Sequence, residues 1–312
     1  MKRIALIALL AAASLTPAAT TVALNWFPEA EHGGFFAAQA AGLYKAKGLD
    51  VQLLPGGPGA PVLQQVATGR VDFGVSNADE VLIARAQGVP VVAVFAPIQT
   101  SPRVIMVHEE SGIQSLAQLS NLTLAIEPQA PFTAFMKKKL PLVGVRFVPY
   151  SGSVAPFLAD KKWAQQAYGI SEPFMATSKG AKVRNLLVSD LGYNPYTSVL
   201  VVSEKTLKER PDLVAKVVAA SRDGWDAYLN DSHPADAAIR KVNNQVDQAI
   251  LDFGHTELLK LCRNADTGKS GTGTMTAARW DDLRAQLVSL GVLKAESEPA
   301  AKAWTDRFLL KP

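Results

Sequence analysis

The sequence is poor in the residues from which disulfide frameworks and metal centres are built. Its 312 residues include one cysteine, Cys262, and four histidines. A single thiol excludes an intrachain disulfide and any multi-thiolate zinc or iron–sulfur site. The histidines stand at positions 32, 108, 233 and 255 without a metal-ligand spacing such as i,i+4. We therefore expect no bound metal and no cofactor.

Long hydrophobic runs are also missing from most of the chain. A membrane-spanning helix needs about 20 apolar residues, and beyond the first segment every run is broken by Gly, Pro or charge. The first segment has a positive start at Lys2–Arg3, an apolar run over Ile4–Ala13 and small residues to Ala19. This order is typical of a secretory signal peptide, here residues 1–19, cleaved near Ala18–Ala19. The signal peptide predicts a periplasmic or otherwise secreted protein. Since no cysteine stands at the cleavage point, we do not expect a lipoprotein.

Charged residues make up only 19% of the chain, with a formal net charge of +4. Loss of Lys2 and Arg3 with the signal peptide would leave 4 − 2 = +2. The lysine clusters at 137–139 and 161–162 are not interleaved with aromatic residues, so we expect no nucleic-acid binding. A Gly-x-Ser-x-Gly motif, a P-loop and a Gly-x-Gly-x-x-Gly motif are all absent from the sequence, and we do not expect an enzyme.

Hydrophobic residues are abundant at 48%, enough for a packed core, and the length suggests about two domains. Residues 20–96 alternate β-rich and helical runs with Gly or Pro at nearly every junction, which favours a parallel sheet covered by helices. The alternation restarts after Pro97, and from Ser203 the pattern is almost purely helical. We predict two α/β lobes, with residues 20–100 plus 200–312 in the first and 101–199 in the second. Two unrelated domains in series are the alternative.

In such an architecture the ligand lies between the lobes, in the loops that follow the strands. The first of these loops, residues 25–34, offers Trp26, Phe27 and His32 before two glycines. Stacking on a flat ligand is one interpretation; Trp26 in the sheet core and His32 as a capping group is the other. After the third strand, Ser76 and Asp79 are candidate ligand contacts, while the spacing from Asn77 to Glu80 predicts a capping box.

The second lobe contributes three further candidates. Glu127 ends a predicted strand, and Phe132 follows near the start of a helix. Glu172 precedes a proline in an apolar run and is either a ligand contact or a carboxylate buried against a backbone partner. Candidate carboxylates in the cleft also include Glu31, whereas Arg103 is the one plausible cation. This excess of acceptors favours a neutral, flat ligand with N–H groups over an anion.

The motifs and their order resemble one family of periplasmic binding proteins. Asn-Trp-Phe-Pro and His-Gly-Gly at 25–34, Gly-Arg-Val-Asp-Phe-Gly at 69–74 and Ser-Glu-Pro-Phe at 171–174 are similarly placed in the nitrate/sulfonate/taurine and thiamine-pyrimidine-precursor group. The resemblance covers nearly all of the predicted mature chain. It departs from the family pattern at residues 161–166, where the family often shows a Gly…Asp-Ala strand entrance.

The resemblance implies a type II, Venus-flytrap fold with two lobes joined by a two-crossing hinge. It further implies a monomeric solute-binding protein that delivers a thiamine-pyrimidine precursor or flavin-like solute to the permease of an ABC importer. Trp26, Phe27, His32 and Glu172 would then be ligand contacts. Three alternatives stay open: an anion binder of the same family, an enzyme similar to the fungal thiamine-pyrimidine synthases, and a sensor that does not serve transport.

Overall fold

The computed structural model describes residues 19–309, so the predicted signal peptide lies outside the described residues except for Ala19. Within this range the chain forms two separate five-stranded sheets with helices packed on each. We call the first sheet with its helices lobe I and the second sheet with its helices lobe II. None of the helices in residues 19–309 combines the length and the apolar character needed to cross a membrane.

The ten strands divide between the two sheets in blocks. They are β1 (Thr20–Ala23), β2 (Val51–Leu54), β3 (Phe73–Ser76), β4 (Val91–Phe95), β5 (Arg103–His108), β6 (Thr123–Ala125), β7 (Arg146–Val148), β8 (Trp163–Tyr168), β9 (Val183–Leu187) and β10 (Val199–Ser203). Lobe I has the order β2-β1-β3-β10-β4, and lobe II has the order β7-β6-β8-β5-β9. The chain thus enters lobe II after β4 and returns to lobe I before β10.

The prediction of a parallel sheet is correct for part of each lobe and wrong for the rest. β1 is parallel to both β2 and β3, and β6 is parallel to both β7 and β8. The strands that follow the two crossings run the other way: β5 is antiparallel to β8 and β9, and β10 to β3 and β4. β10 is buried along its whole length, as β3 and β4 are, so its composition does not reveal its direction.

The helices lie between and after the strands. They are α1 (Gly33–Ala40), α2 (Leu43–Ala46), α3 (Val62–Ala67), α4 (Ala78–Ala86), α5 (Pro131–Lys139), α6 (Ala155–Ala159), α7 (Glu172–Thr177), α8 (Glu204–Glu209), α9 (Pro211–Asn230), α10 (His233–Val242), α11 (Gln248–Leu261), α12 (Ala265–Ser270) and α13 (Ala277–Ser289). α9 packs on α1 and α13 on α4, so the helical region after β10 completes lobe I.

Three details differ from the predicted pattern. The sequence at 35–47 predicts one continuous helix, but the structure divides it at Gly42, whose φ of 69° is the left-handed conformation that glycine adopts without strain. The sequence at 299–309 also predicts a helix, and the structure has a single 3₁₀ turn there, Ala300–Lys302. β8 was not among the predicted strands, because its sequence places two glutamines, Gln165 and Gln166, in a strand that is buried at the centre of a sheet.

The two crossings between the lobes are tied to each other. Ile98 and Thr197 form an antiparallel bridge, one residue from each crossing. The Arg279 guanidinium of α13 donates to the carbonyl of Gln99 at 2.7 Å and to the carbonyl of Asn194 at 3.0 Å. The Gln99 side chain is buried and donates to two further carbonyls. These polar groups therefore build the connection between the lobes.

Candidate ligand-binding cleft

The lobes are closed on each other in this structure. Ile170, in the loop between β8 and α7 of lobe II, is 1% exposed and packs within the hydrophobic core of lobe I. Phe174 of α7 packs against Phe253 of α11, with the two tilted rings 5.5 Å apart between centroids. Lobe I residues 25–34 belong to the same contact region, since Ala30 shares the core cluster of Ile170. Side chains from both lobes consequently meet around a buried cleft.

His32 is part of the internal structure of the loop in lobe I. Its ring is fully buried, with Nδ1 accepting from the Glu29 N–H at 3.5 Å and Nε2 lying 3.0 Å from Asn25 Oδ1. Burial lowers the pKa of His32 to about 3, so the ring is neutral and Nε2 carries the proton that is donated to Asn25. The histidine therefore orients Asn25, and a direct contact with ligand stays a prediction.

The two glycines after His32 serve the packing of lobe I. A Cβ on Gly33 would lie 2.2 Å from the Tyr228 ring, and one on Gly34 would lie 2.1 Å from the Trp225 ring. Both rings belong to α9 and are fully buried. The His-Gly-Gly sequence thus lets α1 approach α9 closely.

Glu31 has a buried carboxyl group, and one of its two oxygens makes no hydrogen bond to the described residues. The residue is 1% exposed; Oε1 lies 3.3 Å from His32 Nε2, and Oε2 has no hydrogen-bond partner among the described residues. Burial raises the pKa of Glu31 to about 8; the negative charges of Glu172 and Glu80 add to this rise, and Arg103 opposes it. A carboxyl group held in this way has the capacity to accept one more hydrogen bond.

Glu172 of lobe II faces this loop, but its oxygens are already bonded. Oε1 accepts from the Tyr150 hydroxyl at 2.7 Å, and Oε2 accepts from the Tyr168 N–H at 2.9 Å and the Ser171 hydroxyl at 2.8 Å. Glu172 thus has the backbone partner that one of the two interpretations gave it, and a direct contact with ligand stays a prediction. Its charge still reaches lobe I, since it raises the pKa values of both Glu29 and Glu31.

The start of α4 carries the predicted capping box. Glu80 accepts from the Asn77 N–H at 3.1 Å and from the Ser76 hydroxyl at 2.5 Å, so Ser76 is committed to this cap. Asp79 is buried and accepts from the Tyr193 hydroxyl at 2.7 Å and from the Glu80 N–H at 3.0 Å. Burial raises the pKa of Asp79 to about 6.

Arg103 is the cation at the centre of the cleft. Its guanidinium lies 4.7 Å from the Phe132 ring centroid and 4.5 Å from that of Tyr168, held between two aromatic faces. Burial alone would lower the Arg103 pKa, but Tyr168, Glu172, Asp79 and Glu127 raise it, so the group stays charged. Among the described residues its guanidinium N–H groups make no hydrogen bond to protein. The guanidinium therefore has donors for a ligand.

A small pocket opens beside this guanidinium. Its walls come from both lobes and from the return crossing, and its lining residues are Asn77, Asp79, Ser101, Arg103, Phe132, Tyr168, Tyr193, Pro195 and Thr197. Asp79 and Phe132 are the predicted site residues that line it. Glu127 is exposed and is not among the lining residues, and its backbone N–H donates to the Gln166 side chain at 2.6 Å.

Trp26 and Phe27 lie in the same loop as Glu31, outside the lining of this pocket. Their rings meet edge to face at 5.5 Å; Trp26 is half-buried and Phe27 is 49% exposed. Tyr168 and Tyr193, which line the pocket, were not predicted. The position of Tyr168 at the end of β8 would have indicated it, had β8 been recognised as a strand.

Comparison with known proteins identifies a family and a fold. The NMT1/THI5 like family model matches residues 29–237. The riboflavin-binding protein RibY of Chloroflexus aurantiacus is 25% identical over 311 residues, which is 93% of this chain and 85% of RibY. The formylaminopyrimidine-binding protein of Halalkalibacterium halodurans is 32% identical over 104 residues, 33% of this chain and 31% of the relative.

A synthase is also among the relatives. The 4-amino-5-hydroxymethyl-2-methylpyrimidine phosphate synthase THI5 of Saccharomyces cerevisiae is 32% identical over 93 residues, 30% of this chain and 27% of the synthase. This match and the one to the formylaminopyrimidine-binding protein each span less than a third of the relative.

Solved structures share the fold over more than nine-tenths of the chain. The periplasmic aliphatic sulphonate binding protein SsuA of Escherichia coli superimposes with a TM-score of 0.70 at 15% identity, covering 95% of this chain and 94% of SsuA. The desulfurization enzyme DszB superimposes with a TM-score of 0.60 at 16% identity, covering 93% and 97%. The predicted type II periplasmic-binding-protein fold, with two lobes and two crossings, is confirmed, and the chain belongs to the NMT1/THI5 like family.

Proposed function

We propose that this protein is the extracytoplasmic solute-binding component of an ABC importer and that its solute is a small heteroaromatic molecule with N–H groups. The observation that carries the proposal is the small pocket between the lobes. Three aromatic side chains, Phe132, Tyr168 and Tyr193, line it together with the charged groups Arg103 and Asp79. Aromatic walls with a few convergent polar groups are typical of sites for flat organic ligands.

The charges around the pocket favour a ligand of this kind over an anion. Glu172 of lobe II raises the pKa of both Glu29 and Glu31 of lobe I, and Glu31 raises that of Glu29 as well. An entering sulfonate or nitrate would be disfavoured for the same reasons as the ionisation of these carboxyl groups, namely burial and the negative charge of nearby carboxylates. The carbonyl or ring nitrogen of a heterocycle, in contrast, accepts from Arg103, while its N–H groups donate to a carboxylate. The names of RibY and of the formylaminopyrimidine-binding protein agree with this chemistry.

Capture by closure is the proposed mechanism. The ligand contacts both lobes, so it stabilises the closed state by its higher affinity for that state, and the permease binds the closed protein. The exported location rests on the predicted signal peptide, which the resemblance to periplasmic proteins supports.

Two alternatives have specific observations behind them. The free donors of Arg103 would suit an oxyanion, as expected of a protein with the fold of SsuA. A synthase relative raises the possibility of catalysis, although among residues 19–309 no group of three or more His, Cys, Asp or Glu is placed to hold a metal ion. The lone thiol, Cys262, is buried in lobe I, and burial raises its pKa.

Isothermal titration of the mature protein with four ligands tests the proposal. The ligands are 4-amino-5-hydroxymethyl-2-methylpyrimidine, riboflavin, taurine and nitrate. We expect saturable binding of at least one heterocycle and none of the anions. Binding of the anions alone would overturn the proposal, and formation of a pyrimidine product after addition of iron and pyridoxal phosphate would establish the enzyme instead.

A further inference from the structure

Two of the groups that line the pocket have hydrogen-bond donors to spare. The Arg103 guanidinium makes no hydrogen bond to the part of the chain that the structure describes. The Ser101 hydroxyl accepts from the Arg103 backbone N–H at 3.4 Å, and its own hydrogen has no acceptor among the same residues. The oxygens of Asp79, in contrast, already accept from the Tyr193 hydroxyl at 2.7 Å and from the Glu80 N–H at 3.0 Å. The pocket therefore suits the acceptor atoms of a ligand.

Two aromatic rings fix the orientation of the Arg103 guanidinium. Arg103 begins β5 and stands directly opposite Tyr168 at the end of β8, so the two side chains lie on the same face of the sheet. The guanidinium carbon is 4.5 Å from the Tyr168 ring centroid and 4.7 Å from that of Phe132 in α5. The N–H groups of a guanidinium lie in its plane. Because the rings hold the group by its faces, its N–H groups are presented at the edge as a planar fork.

Arg279 packs on an aromatic ring in a similar way, but its N–H groups are occupied. Its guanidinium carbon lies 3.7 Å from the Tyr196 ring centroid, and it donates to the carbonyls of Gln99 and Asn194. Arg103 has no such carbonyl partner among residues 19–309. A half-buried charge without a hydrogen-bond partner is unfavourable, and a ligand that accepts from it removes this penalty. The free fork of Arg103 is therefore explained by a ligand rather than by the fold.

Building on the proposed function, we infer that Arg103 determines ligand specificity by donating two parallel hydrogen bonds to two neighbouring acceptor atoms of the heterocycle. A ring nitrogen next to a carbonyl provides such a pair of acceptors. The isoalloxazine ring of riboflavin has two of these edges, N5 with the C4 carbonyl and N1 with the C2 carbonyl. A 4-aminopyrimidine has none, because its amino group is a donor and no carbonyl stands beside its ring nitrogens. The pocket thus favours flavin-like solutes over aminopyrimidines.

Titration of the wild-type protein with riboflavin and its deaza analogues tests this inference. 5-Deazariboflavin and 1-deazariboflavin each replace one ring nitrogen by C–H, so each removes one acceptor from one edge while the shape stays nearly the same. We expect one of the two analogues to have a Kd about 10- to 100-fold higher than that of riboflavin, the range of a hydrogen bond to a charged group. We also expect 4-amino-5-hydroxymethyl-2-methylpyrimidine to bind more weakly than riboflavin.

Substitutions at Arg103 separate the planar fork from the charge. Arg103→Met removes the donors, so the ratio of the Kd of the weaker analogue to that of riboflavin should fall to about one. Arg103→Lys keeps the positive charge but has no planar pair of N–H groups, so this ratio should fall as well. Arg184→Met is the control: it removes an exposed arginine from β9 of the same sheet and should leave the ratio unchanged. An equal loss of affinity for riboflavin and both analogues in Arg103→Met would indicate a merely structural role and overturn the inference.

The outcomes also distinguish the inference from the proposed function. If the wild type binds riboflavin and both analogues equally, or if Arg103→Lys keeps the full ratio, the inference is wrong and the proposed function stands. The same holds if the aminopyrimidine binds more tightly than riboflavin. If the wild type binds neither heterocycle, both are wrong, and binding of taurine or nitrate alone would assign Arg103 to an oxyanion.

Discussion

The absence of a side chain at Gly254 lets the two lobes come into contact, and we expect that adding a side chain at this position would destabilise the closed state. In α11, a Cβ on Gly254 would lie 2.9 Å from the Ile170 carbonyl oxygen of lobe II and 2.6 Å from Ala30 Cβ of lobe I. Contacts this short require the backbone to move. Since Ile170 belongs to the opposite lobe, opening the cleft would remove the short contact between its carbonyl oxygen and the added Cβ.

The cost can be worked out from the packing. Inserting a methyl group into a filled contact costs about 1–3 kcal/mol, and 1.4 kcal/mol corresponds to a tenfold change in affinity, so Gly254→Ala should raise the ligand Kd about 5- to 150-fold. The contact with Ala30 lies within lobe I, so it would destabilise the open state as well as the closed state. We therefore place the substitution in an Ala30→Gly background, where the contact with Ile170 is what remains.

Isothermal titration and small-angle scattering provide the measurements. We expect weaker binding and a larger radius of gyration for the ligand-free double variant than for Ala30→Gly alone. Gly268→Ala is the matched control: it makes the same change in helix α12, where an added Cβ meets nothing within 4 Å. An unchanged Kd in the double variant would refute the reasoning that closure at Gly254 is coupled to binding.

Three further predictions concern the loop, the pH dependence and the crossings. Trp26→Ala should raise the heterocycle Kd several-fold in titration while leaving the far-UV circular dichroism unchanged; an unaltered Kd would place the stacking surface elsewhere. The pKa of Glu31 is about 8 in the folded protein against an ordinary value of 4.5, so the folded state binds a proton that the unfolded state releases between these pH values. The free energy of unfolding in urea should therefore fall as the pH rises from 5 to 8, and Glu31→Gln should make this fall smaller. An equal pH dependence in both proteins would contradict the raised pKa. Arg279→Met should lower the free energy of unfolding by about 1.5–3 kcal/mol, since it removes the charged donor that joins the carbonyls of Gln99 and Asn194; urea unfolding measures this, and no loss would mean that the crossings are held by other contacts.

Much of the fold could be predicted from local sequence. The alternation of β-rich and helical runs located nine of the ten strands, and the Asn77–Glu80 spacing correctly gave the cap of α4. These features depend on residues that are close in sequence. The direction of β10 was not predictable in this way, because a strand buried on both faces has the same apolar composition in either direction.

The site was less predictable because its essential contacts join distant segments. The hydrogen bond between Asp79 and Tyr193 spans 114 residues. A glutamate in a loop is ordinarily exposed, so its sequence gives no sign that Glu31 is buried. Sequence reasoning therefore found the loops that form the cleft but not which of their side chains have free hydrogen-bonding capacity.

The most direct test of the central claim is a crystal structure of the mature protein purified with its natural ligand retained. We expect a flat heteroaromatic molecule between the lobes, beside the Arg103 guanidinium and against the rings of Phe132 and Tyr168. An oxyanion bound to the Arg103 guanidinium, with no heteroaromatic molecule in the cleft, would contradict the proposed function.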